Sequence, residues 1–374
     1  MASESAPGQV TSDFRLRIVD THMHQWDPQS TPRDVLLQIN SLIGIPRLLD
    51  ATFRLLPKSD RESIADPVYL ANPYLVGDYR RDIAGLPVES CVHIESGWRG
   101  KGEFASVDET KWIASLPFPR AGSEGRGPRL GAIIGHADPR TPNFGAVLDA
   151  HQDASELFRG VRCIAAHHPD RGVRSWTNDP RLLVQPRFLD GFAQLAQRDL
   201  TFDAWVYSQD LPDVAELARR YPEVTIVLDH VGTPAGIFGP VGRNTGRSLA
   251  ERRGLLDAWR DDLAAVAARQ NVVAKLTGLM LPVLGHELPL RGHSVPVQEL
   301  VERVAPLVDH TLDVFGADRT MWGSNTPLEK PVSDASGTVE TVLEALKPRG
   351  NVVADQVFRA TAQRVYRIAE GGPH

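Results

Sequence analysis

The stretch RIVDTHMHQWDP, Arg17 to Pro28, places Asp20, His22 and His24 in one alternating row at the end of an apolar run. Side chains two apart on an extended strand share a side, so the three groups can converge on one point. Neutral imidazoles held this way suit a transition-metal ion, with Zn, Fe, Mn and Ni all acceptable. Asp20 is better placed to orient a ligand histidine or the strand end than to bind the ion itself.

Positioning such a row requires strands. Short β-rich runs at 15–22, 88–95, 129–136, 159–166, 200–207, 224–230, 271–278 and 319–325 alternate with amphipathic stretches such as DVAELARRY and GLLDAWRDDLAAVAARQ. Eight alternations predict a parallel barrel wrapped by helices, with chemistry at the C-terminal strand ends. An open doubly wound sheet is the alternative, but no glycine-rich phosphate turn follows the first strand. The expected class is α/β: one distorted (β/α)8 TIM barrel over residues 15–371, after a polar tail at 1–14. A partly helical cap, including RDVLLQINSLIGIPRLL, is expected after strand 1 at about 28–86, and LPVLGHELPLRGHS is a second candidate wall.

Alternation assigns faces along each strand. It sends Val92 and Ile94 to the helices and Cys91, His93 and Glu95 inward. It aligns Ile134 with His136 and Asp138, Arg162 with His168, Asp203 with Trp205 and Tyr207, and Leu228 with His230. Lys275 shares a face with Thr277, and Gly323 with Asn325. Each strand so ends in a group able to ligate or hydrogen-bond. Glu95 is a candidate carboxylate ligand or base, His136 and His168 are candidate proton acceptors, and Arg162 offers a fork that matches a substrate carboxylate. Asp203, Trp205, Tyr207 and Lys275 complete the candidate substrate contacts.

Composition narrows the partners. With 42% hydrophobic residues, 24% charged residues and a net charge of −6, nothing favours nucleic acid or an anionic membrane, and a small molecule is the expected substrate. No apolar run approaches the ~20 residues that span a bilayer, and MASESAPGQVTSD lacks the basic and apolar regions of a secretion signal, so a cytoplasmic location is expected. Cys91 and Cys163 lie two strand spacings apart in apolar runs and read as buried thiols. Exposed barrel helices leave a homo-oligomer or a related partner subunit open.

As an ordered set, VDTHMHQWDP, GAIIGHADP, FRGVRCIAAHH, LTFDAWVYSQDLPDVAELA, TIVLDHVG, NVVAKLTGL and FGADRTMWGSNTP resemble the amidohydrolase superfamily, in particular the amidohydrolase-related branch that includes sugar lactonases and pyrone dicarboxylate lactonases. The resemblance runs from residue 18 to about residue 330. It implies a distorted barrel holding one or two divalent ions, with His22 and His24 as first-strand ligands, His230 as the sixth-strand ligand and Asn325 at the position of the eighth-strand aspartate. His136 and Arg162 match positions that face the substrate. Two departures stand out: RGVRCIAAHH has no bridging lysine, a place Glu95 is suited to fill, and Asn325 is an amide that cannot accept a proton.

These readings lead to metal-dependent hydrolysis of a small carboxylated or hydroxylated lactone or amide, with Zn as the expected ion. The alternative is a dinuclear Fe or Mn oxygenase of a small organic acid, toward which the missing lysine and aspartate both point. Non-oxidative decarboxylation and an inactive partner subunit rank below these.

Overall fold

The computed structural model describes residues 15–34, 49, 51, 53–64, 66–119 and 127–369. The expected tail and most of RDVLLQINSLIGIPRLL lie outside them. Eight strands, β1 (Ile18–Met23), β2 (Val88–Ile94), β3 (Arg129–His136), β4 (Phe158–Ile164), β5 (Thr201–Trp205), β6 (Ile226–Leu228), β7 (Val272–Leu276) and β8 (Thr320–Trp322), pair in parallel in chain order. β8 returns to β1 through Thr21 Oγ1 donating to Trp322 O (2.6 Å), Asn325 N to His22 O (2.7 Å) and His24 N to Thr326 O (3.0 Å). The architecture is the expected (β/α)8 barrel.

The strands are buried on both faces, which is why apolar and polar residues mix along them instead of alternating cleanly. Val19, Val92, Ile94, Ala132, Ile134, Val227, Val273 and Met321 fill the lumen together with Tyr366 and Ile368. The chain segment after the helix Thr361–Val365 plugs the floor: Arg159 Nε donates to Tyr366 O (3.0 Å) beside the start of β4. The larger shell, with Ile18, Cys91, Val161, Cys163, Phe202, Leu228, Leu276 and Trp322, packs strands against helices.

This partition corrects three expected faces. Val92 and Ile94 point into the barrel, and Cys91 and His93 point outward. On β6, Leu228 faces the helices and Asp229 takes the inward row. Asp20 leaves the histidine row because β1 bulges: Asp20 pairs with Cys91 but Met23 with His93, three residues against two. Asp20 instead lies behind the strand, where Tyr79 Oη (2.8 Å) and Ser324 Oγ (2.6 Å) donate to Oδ2, and Ser324 N to Oδ1 (2.8 Å). It fastens β1 to the β8 loop. Both cysteines are buried free thiols.

In the described part of the insertion after β1, three short helices (Lys58–Ile64, Val68–Ala71 and Val76–Asp82) agree with the partly helical cap. Trp26 and Tyr74 exchange backbone hydrogen bonds (3.1 and 2.8 Å), which ties the insertion back to the end of β1. Among the described residues no helix is long and apolar enough to cross a membrane.

Candidate active site

His22 and His24 reach the mouth from the end of β1. Their ring centroids lie 5.1 Å apart, and His230 stands 4.8 Å from His22. His230 gets there by an unusual route. With Asp229 inward, strict alternation turns His230 away, and the backbone restores it by entering the left-handed region at His230 (φ 55°) and Val231 (φ 46°). That conformation disfavours a β-branched residue such as Val231, so the surrounding structure has to impose it.

Two glycines leave room for the rings. A Cβ on Gly278 would lie 2.5 Å from His230 Cβ, Cγ and Nδ1, and one on Gly323 would lie 2.7 Å from His22 Cβ. Gly278 also has φ +69°. Gly278→Ala is therefore expected to displace His230, lowering activity more than about tenfold and stability by roughly 1–3 kcal/mol. Paired rate and melting measurements check this, the activity loss exceeding what the melting shift explains.

Burial keeps all three histidines neutral. It drives His22 and His24 well below the usual imidazole range and His230 to about 3, overriding the opposing pull of Asp229 on His22 and His230. His24 Nδ1 donates to Ile94 O (2.9 Å), which leaves a lone pair on Nε2, 3.2 Å from Asn325 Oδ1. Two acceptors thus face each other, while the Asn325 amide also acts on the buried Glu329 carboxyl, opposing the effect of burial on it. A cation shared by Nε2 and Oδ1 satisfies this arrangement. Turning the amide over satisfies it differently, with Nδ2 donating to His24. Asn325 holds its place at φ 51°, a conformation asparagine tolerates better than most residues.

Arg162, from β4, sits in the middle. Its Nε donates to Glu95 Oε1 (2.9 Å), its NH2 to Glu95 O (2.7 Å), and its NH1 lies 3.4 Å from His22 Nε2 and 3.7 Å from Asp229 Oδ2. All three nitrogens are engaged, so the expected free carboxylate fork is absent. Glu95 has both oxygens occupied, Oε2 accepting from Gly97 N (3.0 Å). Glu95 reaches the mouth by lying one residue beyond the end of β2, contrary to the parity argument. Among the described residues no three His, Cys, Asp or Glu side chains are grouped as they stand to hold one ion, and the guanidinium against His22 Nε2 is a physical reason.

Below lies a second layer. Lys275 Nζ donates to Asp203 Oδ2 (2.6 Å) and lies 3.2 Å from Asp229 Oδ1, while Tyr366 Oη donates to Asp203 Oδ2 (2.9 Å). Lys275 and Asp203 are fully buried and paired, and so do not present charge to a substrate as expected. Burial raises Asp203 to about 6 against the pull of Lys275, whereas Lys275 and His22 outweigh burial at Asp229 and hold it well below the carboxylate range. Asp229 Oδ1 lies 3.4 Å from His22 Nδ1, the geometry of a carboxylate that fixes a ligand histidine's tautomer.

His136 Nδ1 faces Arg162 O at 3.2 Å. His168 Nδ1 accepts from Asp170 N (3.0 Å), so its ring lone pair is already in use. Trp205 stands edge-on to His230 (5.4 Å) with the Arg162 guanidinium 5.5 Å from its centroid. Tyr207 packs edge-on against His168 (ring centroids 5.1 Å) and donates to Arg174 O (2.8 Å).

Sequence reasoning missed Asp229, Glu329 and Tyr366. Asp229 had a signal in the LDH triplet of the matching segment TIVLDHVG. Glu329, buried and pushed up by burial to about 8, accepts from Met280 N (3.1 Å) and Gly278 N and joins the β7 and β8 loops. Nothing local in PLEK marks it.

Behind His24, the buried His93 and Glu109 side chains face each other at 3.6 Å. Burial raises the Glu109 carboxyl, but His93, Arg33 and Ser96 outweigh it and hold the pKa at about 2. A depressed carboxylate stabilises the fold fully above its ordinary value near 4.5 and loses that contribution as pH falls toward 2. Glu109→Gln is expected to flatten this acid limb and to cost on the order of 3 kcal/mol at neutral pH. Urea unfolding across that range measures both.

The family model described as Amidohydrolase matches residues 126–368. An L-fucono-1,5-lactonase of Burkholderia ambifaria is 32% identical over 206 residues, 54% of this chain and 57% of that protein. Another from Burkholderia multivorans is 28% identical over 269 residues, 71% of this chain and 79% of that protein. An amidohydrolase of Burkholderia multivorans with bound zinc superimposes with a TM-score of 0.64 at 22% identity, covering 95% of this chain and all of that one.

Proposed function

Because the chain belongs to the amidohydrolase family, whose members are typically dependent on a divalent metal, we propose that this enzyme hydrolyses a small hydroxylated or carboxylated lactone at the mouth of the barrel. The observation that carries the reading is the convergence of three neutral imidazoles and the Asn325 amide oxygen at the strand ends. Relatives named as lactonases support the choice of ring ester over amide.

His24 Nε2, Asn325 Oδ1, His22 and His230 would hold a divalent ion, with Zn preferred. Such an ion polarises a carbonyl and acidifies a water molecule. With Asp229 on the Nδ1 side, the His22 lone pair lies on Nε2, where Arg162 NH1 stands 3.4 Å away and would yield to the ion, and the Glu95 carboxylate anchors Arg162 so that its guanidinium adds positive potential where the lactone oxygen gains charge.

The proton needs an acceptor other than Asn325. His168 has its lone pair engaged, Glu95 has both oxygens bonded, and Asp229 is too weak a base at its depressed pKa. His136 remains: with Nδ1 donating to Arg162 O, its Nε2 accepts the proton of the attacking water. Hydrolysis of a panel of aldono-lactones tests the reading, and His136→Asn is expected to lower kcat by about 10²–10⁴ with little change in KM. A panel showing no turnover contradicts the lactonase reading, and an unchanged kcat contradicts the role of His136.

A further inference from the structure

We propose that Trp176 is a specificity-determining residue, the outer platform on which a second ring or bulky cyclic substituent of the substrate stacks. This rests on the lactonase reading for the position of the scissile carbonyl. Trp176 lies on the loop after β4 and is 37% exposed. Single exposed aromatics are ordinary, but this one is held from several sides. Its N donates to Ala166 O (2.8 Å) at the end of β4, its side chain faces the Tyr207 hydroxyl, and the Arg174 guanidinium stacks 4.1 Å from its centroid. Arg174 pairs in turn with Asp60 of the insertion (3.2 Å). An indole immobilised this way loses little entropy when a ring settles against the part of it left exposed.

The indole also leads somewhere. Trp176 and Trp205 stand 5.0 Å apart at 45°, and Trp205 is edge-on to His230 at 5.4 Å. The two tryptophans form steps from solvent to the histidines. A six-membered lactone whose carbonyl sits by His230 fills the step against Trp205. Trp176, one step further out, meets only what the substrate carries beyond that ring. Sugar and aryl rings both offer a face that stacks on an indole.

The test compares a monocyclic six-membered aldonolactone with the same lactone bearing a glycosyl substituent, using wild type, Trp176→Ala and Trp176→Phe. Titration calorimetry with the corresponding two-ring cyclic ether, which cannot be hydrolysed, runs alongside. Trp176→Ala is expected to lower the two-ring over one-ring ratio of kcat/KM about tenfold, mainly through KM, and to weaken ether binding similarly, while Trp176→Phe restores most of both. An unchanged ratio with unchanged ether affinity overturns the proposal, as does an equal loss on both lactones or a wild type that binds no two-ring probe. If no lactone is turned over yet ether affinity still falls in Trp176→Ala, the lactonase reading fails and the platform stands.

Discussion

Replacing His230 by alanine is expected to cost at least about a hundredfold in kcat/KM toward a small lactone while leaving the barrel folded. Loss of an orienting partner behind a metal ligand already costs roughly 10–100-fold, so loss of a ligand sets that as the floor. The fold should survive because the His230 ring packs on Trp205 and His22, not in the apolar shell. Metal content should fall with activity, and the melting temperature should move by only a few degrees. A variant that keeps its rate shows that His230 is a packing residue.

Lys275→Met should act on stability instead. Lys275 sits with no exposed surface between Asp203 and Asp229, and removing one partner of a buried pair typically costs 3–5 kcal/mol because the other charge is stranded. Asp203, already raised to about 6, then takes up a proton and so relieves part of the cost. The loss should consequently be larger at pH 8 than at pH 5. Adding Asp203→Leu should recover part of it, because the two residues share one interaction. Urea denaturation of the single and double variants at both pH values measures the coupling; additive losses would show that the pair is not coupled.

The barrel was legible because eight β-rich runs alternate with helical periodicity, a pattern few folds share. His22 and His24 were legible for the same reason, a period of two at a strand end. Face assignment failed where the backbone departs from the ideal strand. The bulge in β1 turns Asp20 away from the histidines, and no glycine marks it. The left-handed turn at His230 and Val231 carries His230 into the site although Asp229 holds the inward position. Parity inverted β2 because its strand is buried on both faces, so apolar Val92 and Ile94 fit the lumen as well as the helix layer. Glu329 and Tyr366 come from the β8 loop and the C-terminal floor, and their partners are distant in sequence. Lys275 was placed correctly by face, but its engagement by two carboxylates depends on strands β5 and β6 together.

On the lactonase reading, the imidazoles at the mouth hold an ion that the reaction needs. The decisive measurement strips the purified enzyme with a chelator, follows residual metal and lactone hydrolysis, and then restores zinc. Activity should disappear with the metal and return in proportion to the zinc rebound, and a His24→Ala variant should rebind none. Full hydrolysis by metal-free protein contradicts that need and leaves polarisation of the carbonyl to Arg162.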